Sequence, residues 1–63
     1  MLDALAHTTP KLLIVDDSRT MRQIVKRTCL MCGVEAQDIL EAADGVEALE
    51  VIDSHRPSVM LCD

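Results

Sequence analysis

The sequence has no phenylalanine, tyrosine or tryptophan. Without a large ring, no aromatic side chain anchors the core, and base-stacking platforms, aromatic cages and membrane-interface anchors are excluded with it. Basic residues are scarce: six Lys and Arg stand against eleven Asp and Glu, a net charge of −5. Phosphate binding needs a basic field, so this balance argues against nucleic acid or anionic lipid as partners. No apolar run approaches the roughly 20 residues of a spanning helix, so no membrane association is expected. Cysteine is limited to three, an odd number without framework spacing. That favours a reducing, cytoplasmic setting over a disulfide scaffold. The chain itself is short at 63 residues. A domain of that size buries only about 60% of the surface its unfolded form exposes, so any fold it reaches alone is marginal.

What is present is a strict alternation of patterns. Residues 1–10 show no sustained period and carry Asp3 with no Lys or Arg, unlike the basic start of a secretory signal. A flexible leader is expected there. Leu12-Leu13-Ile14-Val15 is a continuous apolar run of strand length, the pattern of a strand covered on both faces. It stops at Asp16-Asp17-Ser18. Met21, Ile24, Val25, Thr28, Cys29 and Cys32 then recur at helical spacing, with Arg19, Arg22, Gln23, Lys26 and Arg27 expected on the solvated face. Ser18 is placed to cap this helix and Gly33 to stop it. A weaker second strand is expected near Ile39-Leu40-Glu41-Ala42. Asp44, with Glu47 three residues on, resembles a capping box before the stripe Gly45, Ala48, Leu49 and Ile52. Pro57 should end that helix near His55-Arg56. Ser58 to Asp63 reads as a third apolar strand.

A β-α-β-α-β alternation implies an α/β fold with a doubly wound parallel sheet. Right-handed crossovers then permit the strand order 2-1-3, with strand one central and one helix on each face. The reversal of strand order opens a crevice at the carboxyl ends of strands one and three. Asp16 and Asp17 end strand one and Asp63 ends strand three, so three carboxylates should meet there. Like charges that close need a proton or a cation. Hard divalent ions suit oxygen donors, and Mg²⁺ commonly takes one or two carboxylates with waters and a phosphate. A carboxylate can also be the nucleophile of phosphoryl transfer, with positioning and charge neutralisation carrying most of the catalysis. Chemistry and topology agree on a metal-assisted aspartyl-phosphate site.

Three segments carry a family resemblance: Lys11-Leu-Leu-Ile-Val-Asp-Asp-Ser-Arg-Thr-Met-Arg, Leu40-Glu-Ala-Ala-Asp-Gly-Val-Glu-Ala-Leu, and Pro57-Ser-Val-Met-Leu-Cys-Asp. In order and spacing, residues 11–63 resemble the receiver domain of bacterial response regulators, nearest its single-domain chemotaxis (CheY-like) type. The resemblance implies a partial flavodoxin-like fold, and a truncated receiver ending at its phospho-accepting residue. It assigns Asp16 and Asp17 to the acidic pair that holds Mg²⁺, and Asp63 to the phosphoacceptor that also ligates the metal. The implied partner is a histidine kinase or a histidine phosphotransfer protein of a two-component phosphorelay, which donates from a phosphohistidine. Such a domain is a signalling receiver rather than a dedicated enzyme, although it catalyses its own phosphotransfer and dephosphorylation.

The departures bear on activity. A full receiver of this family is nearly twice as long. It goes on to a backbone carbonyl that completes the metal shell, a Ser or Thr that senses the phosphoryl group, and a Lys that pairs with it. Lys11 and Lys26 are the only lysines here, and both precede the site in sequence. Weak metal affinity and little phosphotransfer are therefore expected of the chain alone. Two other readings remain: a non-catalytic piece that only associates with a partner or a missing half, and a phosphatase of the haloacid-dehalogenase type. The latter uses Asp-x-Asp, whereas Asp16 and Asp17 are adjacent.

Other features have plainer readings. Cys29-Leu-Met-Cys32 spells C-x-x-C, but no second pair completes four ligands, so buried packing thiols are expected. Cys62 should likewise pack on a sheet face. His7 and His55 are expected to be exposed and without a ligand role. The basic cluster Arg19, Arg22, Lys26 and Arg27 could meet an acidic partner, but its default reading is a solvated helix face; residues 35–53 hold seven acids and no base, a contrast to which no docking role is assigned.

Overall fold

The computed structural model describes residues 11–63, so the expected leader and His7 lie outside the described residues. Three parallel strands, β1 (Leu12–Val15), β2 (Ile39–Ala42) and β3 (Val59–Cys62), form one sheet in the order β2-β1-β3. Helix α1 (Arg19–Met31) links β1 to β2, and α2 (Gly45–His55) links β2 to β3. This is the open, partly built flavodoxin-like arrangement expected from the alternation. The registers place Leu12 beside Ile39 and Val59, and Val15 beside Ala42 and Cys62.

The central strand is where burial concentrates. Leu13, Ile14 and Val15 are 0%, 2% and 7% exposed, as a run lined on both faces requires. Successive strand residues point to opposite faces. Leu13 and Val15 therefore share one face, where they pack with Ala42 and with Ala48 of α2, flanked by Leu40 and Val51. Ile14 faces the other way, under Val25 of α1. The two crossovers thus cover opposite faces of the sheet.

Local signals fix the helix ends. The Ser18 hydroxyl accepts from the Met21 amide at 3.2 Å, and the Asp44 carboxylate accepts from the Glu47 amide at 2.8 Å. Each side chain satisfies a donor that the first helical turn leaves unpaired. Gly33 takes the left-handed conformation (φ 97°) that stops α1, a position where a Cβ would be strained. Arg56 also sits left-handed (φ 50°) after α2, consistent with Pro57 pushing its predecessor out of the right-handed helical region. A short 3₁₀ turn, Ala36–Asp38, leads into β2 and buries Asp38. The sequence shows this segment only as a polar connection.

Packing expectations are corrected in both helices and for cysteine: on the expected stripe of α2, Leu49 and Ile52 are 68% and 36% exposed and only Ala48 is buried. Met21 and Ile24, expected on the inner stripe of α1, are 46% and 52% exposed, and no residue of that helix is fully buried. The residues turned towards the sheet are Arg22, Val25, Lys26 and Cys29, each partly covered. Adjacent strands lie about 4.8 Å apart, so three of them span roughly 10 Å. A sheet that narrow can cover one line of helix residues, not a broad stripe. The last correction concerns cysteine: Cys32 and Cys62 are exposed, and only Cys29 is partly covered. Cys32 caps α1 beyond its last turn, and Cys62 lies on β3, which is exposed along its whole length.

Candidate functional site

The site grows out of the β1–β3 register. With Val15 beside Cys62, the next residues along the two strands are Asp16 and Asp63. The Asp63 amide donates to the Val15 carbonyl at 3.2 Å, continuing the ladder to the sheet's carboxyl edge. Asp16 follows Ile14 and Asp63 follows Leu61 at the two-residue strand period, so both fall on the α1 face. Together with Val25, these residues line one shallow depression. Asp17 is the next residue after Asp16 and is exposed, as is Asp63.

Asp16 is held tightly from several sides. It is 9% exposed, its carboxylate accepts from the Ser18 amide at 2.8 Å, and its own amide donates to Ala42 at 3.1 Å. Its carbonyl accepts from Arg22 Nη1 at 2.6 Å. The short turn between β1 and α1 is therefore an Asx-type turn in which Asp16 organises the start of the helix. One carboxylate oxygen is engaged in that turn. Among the described residues, no other side chain hydrogen-bonds to its carboxylate.

Arg22 is the main residue missed by reading the sequence. Helical spacing places it on the solvated face, yet its Nε also donates to Glu41 of β2 at 3.2 Å. Gln23 donates to the same carboxylate at 3.2 Å, and Lys26 lies 3.6 Å from it. The signal was available: Glu41 is a lone acid inside an apolar strand, on the α1 face by parity with Ile39. Arg22 and Lys26 stand four residues apart, a spacing that places them on one helix face. The network fastens α1 to β2 and fixes the carbonyl end of Asp16. Glu41→Ala should destabilise the chain by about 1 kcal/mol, the scale of a partly exposed pair, measured as a shift in the urea midpoint followed by far-ultraviolet circular dichroism.

Among the described residues, no three His, Cys, Asp or Glu side chains close into a group that could hold a metal ion. The topology brings Asp16 and Asp63 to one edge, while the three carboxylates do not converge on a single point. The donor set nevertheless fits Mg²⁺: all ligand atoms are oxygens, Asp16 is fixed, and Asp17 and Asp63 are exposed side chains that can rotate. Asp16, Asp17 and Asp63 are the residues that would hold the ion. His55 is exposed at the end of α2. Among the described residues, no helix is long and apolar enough to cross a membrane.

Comparisons with known proteins bear on what this edge is. No protein-family model matches the chain, and no solved structure matches it. Curated proteins do. The chain is 51% identical over 51 residues to the chemotaxis protein CheY1 of Helicobacter pylori, covering 81% of this chain and 40% of that protein. It is 52% identical over 42 residues to the chemotaxis protein CheY homolog of Campylobacter jejuni, covering 67% and 31% respectively. With the response regulator MprA of Mycobacterium ulcerans the identity is 40% over 53 residues, covering 84% and 22%. The chain thus spans two fifths or less of the curated relatives it matches. Their sequences, together with a β2-β1-β3 parallel sheet whose central strand ends in paired aspartates, make the chain part of a CheY-like receiver domain of the response-regulator family.

Proposed function

We propose that this chain is the phospho-accepting part of a receiver in two-component signalling, and that Asp63 takes the phosphoryl group. The observation that carries the reading is the placement of Asp63 beside Asp16 at the carboxyl edge of adjacent parallel strands. The donor is a phosphohistidine on a histidine kinase or a phosphotransfer protein. An Asp63 carboxylate oxygen attacks phosphorus as the P–N bond breaks, and the electron pair leaves on the imidazole. Water later cleaves the acyl phosphate and restores the carboxylate. Bound Mg²⁺ would neutralise charge on the transferring group. The chain's own residues have separate tasks. Asp63 presents the nucleophile, Asp16 and Asp17 supply the oxygen donors, and the Ser18 and Arg22 bonds keep Asp16 in place.

The test is to map the phosphoryl group. Residues 11–63 replace their counterpart in the Helicobacter pylori CheY1, and the chimera is incubated with acetyl phosphate and Mg²⁺. Borohydride reduction then converts any acyl phosphate to a stable mass label. The expected label is one group per molecule, on residue 63, dependent on Mg²⁺. A label on Asp16 would support a phosphatase-type nucleophile instead. No label on a folded chimera would leave the chain as an associating piece without phosphotransfer.

A further inference from the structure

The C-x-x-C of α1 does not behave as packing thiols. Cys32 is exposed, and Cys29, on the sheet side of α1, is partly covered. The backbone at this end is tighter than a regular helix. The Cys32 amide donates to the Cys29 carbonyl at 3.0 Å as well as to Thr28 at 3.1 Å, a bifurcated bond of the i→i+3 kind. Cys32 itself has left the helix (φ −85°, ψ 2°). Gly33 then donates to Leu30 at 3.1 Å, and Val34 donates to Cys29 at 3.1 Å. This pair of bonds is a Schellman motif, with the Cys29 carbonyl as its hub.

That geometry has a covalent consequence. In 3₁₀ geometry, side chains three residues apart eclipse one another. A turn closed by an i→i+3 bond also brings its end Cα atoms within about 7 Å. Disulfides bridge Cα separations of about 4.4–6.8 Å. The Cys32 amide's bond to the Cys29 carbonyl brings this i→i+3 tightening to the two cysteines themselves. We propose that Cys29 and Cys32 form a dithiol–disulfide site at the carboxyl end of α1, oxidised by a low-molecular-weight disulfide such as oxidised glutathione.

The exchange balances in two steps. The thiolate of Cys32, the more exposed, attacks one sulfur of the oxidant, making a mixed disulfide and expelling one thiolate. Cys29 then attacks the Cys32 sulfur, closing the protein disulfide and expelling the second thiolate. Two protein thiols lose two electrons, the oxidant gains them, and the two protons end on the released thiols. The crosslink fixes the two ends of the turn that the Schellman bonds already hold. It therefore stabilises the cap, and by linkage the folded state favours the disulfide by the same factor.

The experiment uses the 63-residue chain carrying Cys62→Ser, so that only the pair can react. It is equilibrated with mixtures of reduced and oxidised glutathione, quenched with an alkylating reagent and weighed intact. The same titration in concentrated guanidinium chloride reports the pair without its turn. An effective concentration of the two thiols at least about tenfold higher in native buffer than in denaturant is expected, with a matching rise in the urea midpoint of the oxidised chain. Equal values in the two solvents would overturn the proposal, as would a product carrying glutathione on Cys32 and a free Cys29. Cys29→Ser should leave Cys32 as a persistent glutathione adduct.

Discussion

Leu13→Ala should remove most or all of the cooperative unfolding transition of the 63-residue chain. Leu13 is fully enclosed, at the centre of a cluster whose other buried members are Val15, Ala42 and Ala48. Truncating a buried leucine costs about 2–5 kcal/mol, through lost transfer energy and the cavity left behind. At about 0.05–0.15 kcal/mol per residue, a chain of this size has roughly 3–9 kcal/mol in total. Its position within that range should be low. Met60, Leu61 and Val59 are all more than two fifths exposed, so much of the apolar surface contributes little. One methyl-rich side chain therefore carries a large fraction of the stability. Urea titration followed by circular dichroism checks this, with Met31→Ala as the comparison. Met31 is 81% exposed, and its truncation should change the unfolding free energy by no more than about 0.5 kcal/mol. A Leu13→Ala chain with an unchanged midpoint would mean that the cluster is not what holds the fold.

The same cluster shows why some features were readable from the residues and others were not. The Leu12–Val15 run, the Ser18 and Asp44 caps, Gly33 and Pro57 all act within a few residues of themselves. Each has one dominant backbone preference, and the elements begin and end where those preferences place them. The strand order followed from topology, because right-handed crossovers leave few options once a central strand is identified. The rotation of α1 was not readable in that way. Its stripe of Met21, Ile24 and Val25 is a statement about one helix, while burial depends on how much sheet lies beneath it. Arg22 and Lys26 turn inward because Glu41, fifteen or more residues further along the chain, offers them a carboxylate on that face. Cys62 failed for a related reason: alternation gives a face, but not whether anything covers it.

The acidic edge was legible as a placement. Parity and register put Asp16 and Asp63 on one face of neighbouring strands, and the backbone places them there. What the residue pattern did not contain is the division of labour around Asp16. Its carboxylate is partly committed to the Ser18 amide, and its carbonyl is tied to Arg22. Asp16 is thus both a structural turn residue and a candidate ligand. Substituting it by alanine would remove two functions at once.

That entanglement makes Asp17 and Asp63 the informative positions. Asp17→Asn should leave the unfolding free energy of the chimera with Helicobacter pylori CheY1 within about 0.5 kcal/mol of the parent's, because the side chain is exposed. It should nonetheless slow Mg²⁺-dependent phosphorylation by on the order of a hundredfold, the scale of losing one group that stabilises transition-state charge. Asp63→Asn goes further: the amide is no nucleophile, so the borohydride-trapped label should vanish entirely while the fold persists. Asp16→Asn keeps an oxygen that can accept from Ser18, so it separates the turn from the charge. Its midpoint should stay near the parent's while its rate falls with that of Asp17→Asn. If Asp17→Asn phosphorylates at the parent rate across a Mg²⁺ titration, the acidic pair is not a metal site. If instead the label survives in Asp63→Asn, the nucleophile lies elsewhere, and the residue ending β3 is only the last rung of a strand.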